Sequence, residues 1–135
     1  MKIHDENGTL LSIVIRNEDI KEGRNFLTDN SEEVQVAAFN FNEKTIIENH
    51  IHNNQKREIH TTSETLIILK GEMRVKIFDE SLNFIDEVKL QGGDTISLLR
   101  GGHGIEIDES CKFIETKQGP YLPDWLLYTS PSPRD

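Results

Sequence analysis

Glu64-Thr65-Leu66-Ile67-Ile68-Leu69-Lys70-Gly71 is the stretch on which the fold turns. Side chains alternate faces along a strand, so Glu64, Leu66 and Ile68 share one face and Thr65, Ile67 and Leu69 the other. Both faces are apolar, which predicts a central strand buried on both sides. A carboxylate at the start of such a strand is costly to bury unless a metal or another cation meets it. Glu64 is therefore the first residue of interest as well as the first of the strand.

Further segments read as strands on either side of this one. Thr9–Ile15, Glu33–Phe41, Lys44–His52, Arg74–Phe78, Phe84–Leu90, Asp94–Leu99, His103–Ile107 and Lys112–Lys117 are short and rich in Ile, Val, Leu, Phe and Thr. Asn42-Glu43, Lys70-Gly71-Glu72, Asp79-Glu80-Ser81, Gly92-Gly93 and Gly101-Gly102 supply the turns. Short strands at this spacing fit an antiparallel sandwich or barrel and not a βαβ array. Only Asn17–Leu27 reads as a short helix, with Asn17 as its cap and Gly23 against it.

A chain of 135 residues is long enough for one domain with a real core. Its net charge of −9 repels nucleic acid and anionic membranes, and neither is expected as a partner. No stretch reaches the roughly 20 apolar residues of a membrane span, and the N-terminus lacks a signal-peptide core. The single cysteine, Cys111, reads as a half-buried strand residue and fits a reducing, cytoplasmic compartment. The final stretch, Leu126-Leu127-Tyr128-Thr129-Ser130-Pro131-Ser132-Pro133-Arg134-Asp135, resembles the translation of a sequencing adapter. The expected division is thus a domain over 1–125, truncated at its C-terminus, and a non-native tail over 126–135.

The chemistry concentrates in His50-Ile51-His52, Glu64 and His103, the last inside Gly101-Gly102-His103-Gly104. On a strand, Ile46, Glu48, His50 and His52 share a face, so the two imidazoles can approach one ion. With Glu64 and His103 they make a three-histidine, one-carboxylate donor set suited to Zn, Fe, Mn, Ni or Co. His60 lies in the loop between, and a histidine titrates near neutrality, so it is a candidate proton carrier that swings over the site. Arg57 and Arg100 are basic residues near the expected mouth, able to hold a carboxylate or pyrophosphate. Glu115 and Lys117 share a strand face with Phe113 and lie near the site if that face is inward. Tyr121, after Gly119-Pro120, could reach the pocket with its hydroxyl.

The spacing resembles the cupin superfamily. His50-x-His52 followed by Glu64, six residues and Gly71 matches its first motif, across a longer gap between His52 and Glu64 than the family pattern has. Gly93 and His103 match the ends of its second motif, with Leu99 where proline is common. A narrower resemblance adds Arg57, Thr62, Gly93-Asp94 and Glu115-Thr116-Lys117-Gln118-Gly119-Pro120-Tyr121. It points to small bacterial cupin-fold metalloproteins encoded among surface-polysaccharide (lipopolysaccharide and capsule) genes. This implies an all-β, single-domain jelly-roll barrel (a double-stranded β-helix) with at most a short N-terminal helix.

It also implies one divalent transition metal on His50, His52, Glu64 and His103. The implied ligand is a small polar or anionic molecule such as a sugar or sugar-nucleotide intermediate. Isomerisation or epimerisation would use the metal as Lewis acid and His60 or Glu115 to move the proton. Arg57, Arg100, Lys117 and Tyr121 would then bind the substrate. The same ligands would serve a mononuclear iron dioxygenase, and a metal-free isomerase with His50 or His52 as base has the same outline. A sugar-binding cupin without turnover also fits. A homodimer is expected, with Thr9–Ile15 as a strand able to pair or exchange.

Overall fold

In the computed structural model residues 1–121 are described; the 126–135 segment lies outside them. The centre is one long strand, β5, over Glu64–Phe78, which joins the expected Glu64–Lys70 and Arg74–Phe78 strands. Its buried positions switch parity on the way. Glu64, Leu66 and Ile68 are buried in its first half, Met73, Val75 and Ile77 in its second. Such a switch needs an irregularity in the ladder, and the register against its neighbour shifts between Ile68 and Lys70. Gly71 sits there at φ +87°, with Ser110 O only 2.2 Å from where a Cβ would lie, so glycine alone suits the bend.

The bend lets β5 serve two sheets. Its first half lies between β7 (Thr95–Leu98) and β9 (Cys111–Lys117), extended through β2 (Leu10–Ile15) to β1 (Lys2–His4). The second half lies between β6 (Phe84–Gln91) and β8 (Gly102–Glu106). All these pairings are antiparallel. β3 (Gly23–Phe26) and β4 (Ala37–Asn40) form a separate hairpin. Ile3, Val14, Leu66, Ile68, Ile96 and Leu98 meet Met73, Val75, Ile77, Val88 and Leu90 in one apolar core. Each buried aliphatic side chain contributes about 1.5–3 kcal/mol relative to exposure. The chain is all-β and antiparallel, and among the described residues the sheets do not close into a barrel.

Asp94 ties the outer end of this core. Its carboxylate accepts the N–H groups of Gln91 (3.0 Å) and Asn17 (3.1 Å) and a guanidinium N–H of Arg16 (3.0 Å). Burial pushes its pKa up, but these donors hold the carboxyl below its ordinary value.

Several sequence expectations are corrected. Asn17–Leu27 is not a helix: a 3-10 turn at Asn17–Asp19 gives way to β3, after Gly23 takes φ +98°. Asn17 caps nothing with its side chain. Lys44–His52 forms no strand, because its alternation meets no ladder partner, and those residues are exposed. Glu33–Phe41 contracts to β4. The outer face of β5 is not buried, since Leu69 is half exposed there. β2 is no edge strand either: β1 and β7 lie on its two sides within the chain. Among the described residues no helix is long and apolar enough to cross a membrane.

Candidate functional site

Glu64 opens β5 facing inward, with Leu98 opposite on β7 and Lys117 opposite on β9. Two residues on, Leu66 faces Glu115 across the same ladder, so Glu115 and Lys117 share the inward face. From the other sheet, β8 places His103 opposite the buried Ile77, and hence also inward. The two sheets thus bring together residues far apart in the chain. His103 Nε2 lies 2.8 Å from Glu64 Oε1. Lys117 Nζ lies 3.9 Å from Glu64 Oε2 and 3.8 Å from Glu115 Oε2. Ser12, across β7 from Glu64 on the same row, adds a buried hydroxyl to this inner surface.

The site grades from dry to wet. Glu64 is 8% exposed, whereas the side chains of His103 and Lys117 are 31% and 22% exposed. Burial raises the Glu64 pKa. The hydrogen bond and charge of His103, then Lys117, then Glu115, outweigh it and hold the carboxyl below its ordinary value. A buried carboxylate that stays ionised, touching a part-exposed imidazole, is equipped to orient that imidazole for proton transfer or to ligate a cation.

The other sequence-predicted residues lie elsewhere. The rings of His50 and His52 have centroids 5.0 Å apart, so the i, i+2 pair does meet, although no strand holds it. His50 Nδ1 contacts the Glu48 carbonyl at 2.7 Å. When Nδ1 donates in that contact, Nε2 keeps its lone pair, the form a metal ligand takes. Both histidines are exposed, and they are not gathered with Glu64 and His103. Among the described residues no group of three or more His, Cys, Asp or Glu side chains could hold an ion.

The His60 ring is exposed, but its backbone N–H and those of Thr61 are fixed. His60 N–H, Thr61 N–H and the Thr61 hydroxyl all donate to the Glu33 carboxylate. These donors lower the Glu33 pKa to about 2. Arg57 is exposed and donates to Gln55 at 3.3 Å. Arg100 is partly buried and donates to the Glu32 carboxylate and the Leu10 carbonyl, fastening the loop before β4 to β2. Tyr121 is exposed at the end of the described chain. Sequence reasoning missed Glu33, and no local signal could have found it, because its partners lie 27 and 28 residues away.

The arrangement defines an all-β protein with a buried carboxylate meeting a part-exposed imidazole from a second sheet. Residues 18–90 match a family described as a domain of unknown function (DUF6016), and the chain belongs to that family. The match takes in His50, His52 and Glu64 but ends before His103, Glu115 and Lys117. No curated protein and no solved structure matches the chain.

Proposed function

We propose that this protein is a metal-binding cupin acting on a small anionic sugar or sugar-nucleotide intermediate of surface-polysaccharide synthesis, as an isomerase or epimerase. The observation that carries this reading is the buried Glu64 carboxylate, 2.8 Å from His103 and flanked by Lys117 and Glu115. Glu64 and His103 fit two places of a four-ligand set by chemistry and by contact. The other two ligands, His50 and His52, sit on the unpaired 44–63 stretch, so the donor set as arranged does not yet enclose an ion. A complete set needs that stretch to lie beside β8, which among the described residues pairs only with β5.

A divalent ion so held would supply Lewis-acid polarisation of a substrate carbonyl. The chain's own groups account for the rest. With Glu64 and His103 engaged as ligands, Glu115, 3.8 Å from Lys117, is the carboxylate that would take or return a proton beside that carbonyl, with His60 as the other carrier. Lys117 offers its ammonium to an anionic oxygen of the ligand. His60, Arg57 and Tyr121 join if the 44–63 stretch and the end of β9 close over the opening. The substrate class rests on the cupin resemblance, and the chemistry on the site.

The test is elemental analysis of the purified protein beside the His50→Ala/His52→Ala and His103→Ala variants. About one equivalent of a transition metal, lost in all variants, is expected. Metal identity then ranks isomerase against iron dioxygenase. A second reading follows from the short Glu64–His103 contact alone: a metal-free isomerase with His103 as base. Protein that cannot be loaded with metal, yet exchanges a substrate α-proton with solvent in a His103-dependent way, would establish that reading and overturn the first.

A further inference from the structure

Two adjacent carboxylates, Glu32 and Glu33, hold the chain in two directions. Glu33 takes the His60 and Thr61 N–H groups at 2.9 Å and the Thr61 hydroxyl at 2.7 Å. Glu32 accepts from the Arg100 guanidinium, which also donates to the Leu10 carbonyl. Thr61 stands three residues before Glu64, and Arg100 stands three before His103. One dipeptide therefore joins the segment entering β5 on the first sheet to the segment entering β8 on the second. The middle of this link is stiff. It lies in the β3–β4 connection, where the Gln35 amide donates to the Asp29 and Glu32 carbonyls at 2.9 Å. The Leu27 N–H closes the same connection on the Val36 carbonyl at 2.9 Å.

The two ends of the link differ in what they need. Glu64 is paired on both sides, with Leu98 and with Lys117. Among the described residues β8 pairs only with β5. His103 also stands among Gly101, Gly102 and Gly104, and glycine loses the most freedom on being fixed. The last short backbone bond before it runs from Leu99 N–H to the Leu11 carbonyl at 2.9 Å, whereas that of Arg100 is long, 3.4 Å. The Arg100–Glu32 side chains, only 19% and 17% exposed, make a charge-assisted bond less open to water than a surface pair.

We propose that Glu33, Glu32 and Arg100 form a brace that positions His103 against Glu64. They are positioning residues, each acting through the backbone that leads to the pair. The inference rests on the reading of Glu64 and His103 as the site, whichever ion or ligand they take.

The test is solvent exchange of the His103 ring N–H, followed by NMR on protein carrying isotope-labelled histidine. His103→Gln assigns the signal by its loss. A donor held on a buried carboxylate exchanges slowly. Glu32→Ala, Arg100→Ala and Glu33→Ala should each accelerate this exchange by about tenfold, while amide exchange in β5 stays unchanged. The Glu32→Ala/Arg100→Ala double variant should go no further than either single change, as two members of one link require. Glu32→Gln keeps an acceptor for Arg100 and should restore most of the protection. The Glu33 arm separates a brace from a local anchor, since Glu33 holds His60 and Thr61 and not β8. Acceleration by Glu32→Ala and Arg100→Ala but not by Glu33→Ala overturns the proposal. So does a His103 ring indifferent to all three, or one that accelerates only together with β5. A wild-type signal exchanging as fast as that of the exposed His60 ring overturns it as well. The readout needs neither metal nor substrate, so failure to load metal would sink the metal reading while exchange still decides the brace.

Discussion

Replacing Glu64 by Gln tests the site at its most buried point. Gln keeps the shape and can still accept a hydrogen bond from His103 Nε2, so the change isolates the charge. Two terms are lost. A hydrogen bond to a charged acceptor contributes about 1.5–3 kcal/mol against about 1 kcal/mol for a neutral one. The Lys117 ammonium, 3.9 Å away, loses one carboxylate neighbour and keeps Glu115 at 3.8 Å, and its partial exposure lets water restore much of the rest. Relief of the carboxylate's burial works the other way. The net sign follows from the Glu64 pKa, which lies below the ordinary 4.5 in spite of burial, so the fold favours the ionised form. We expect Glu64→Gln to cost about 1–2 kcal/mol at neutral pH, roughly 3–10 °C in melting temperature for a domain of this size.

The pH dependence supplies an internal check. A carboxyl whose folded pKa is depressed stabilises the protein fully above its unfolded pKa. That contribution is lost as pH falls through the folded value. The gap between wild type and variant should therefore be flat well above pH 4.5 and close below it. Urea denaturation followed by circular dichroism at several pH values measures it. A gap under about 0.5 kcal/mol at neutral pH, or one that widens in acid, would refute the reasoning.

Three further outcomes follow from contacts elsewhere. Asp94→Ala strips the acceptor from the Gln91 and Asn17 amides and from Arg16, and should destabilise the fold by about 2–4 kcal/mol in the same denaturation assay. Gly71→Ala sets a Cβ against Ser110 O at a left-handed φ, and a loss on the order of 3 kcal/mol is expected in thermal melts. Glu33→Gln removes the charged acceptor of the His60 and Thr61 amides. Hydrogen exchange at those amides should accelerate by about tenfold while exchange in β5 stays unchanged.

Strand identity was legible wherever alternation met a ladder partner. β2, β6, β7, β8 and β9 fall within a residue or two of where composition and turns put them, and all but β8 turn an apolar face to the common core. The inward placing of Glu115 and Lys117, left conditional on strand facing, follows once β9 pairs with β5. The illegible parts have physical reasons. Nothing local shows that Glu64–Lys70 and Arg74–Phe78 are one strand, since Lys70-Gly71-Glu72 reads equally as a turn and as a bulge. Lys44–His52 has strand periodicity, but periodicity states a preference and only a partner satisfies it. Nothing local to Arg100 shows that Glu32 and the Leu10 carbonyl accept from its guanidinium, since both lie far away in the chain.

The bend at Gly71 is what makes a site possible at all. Without the parity switch, β5 would present Leu66 and Ile68 to one side and Met73, Val75 and Ile77 to the other, and the two halves could not share a core. With it, β9 and β8, which pair with different halves of β5, come to face each other across that core. Glu64 on the first sheet then meets His103 on the second. Glu64 in that contact is buried, whereas the side chains of His103 and Lys117 are part exposed, so the contact joins the core to the surface. The family match ends before His103, so the segment 18–90 carries only half of the pair. The function proposed here belongs to the whole two-sheet arrangement and would be absent from that segment alone.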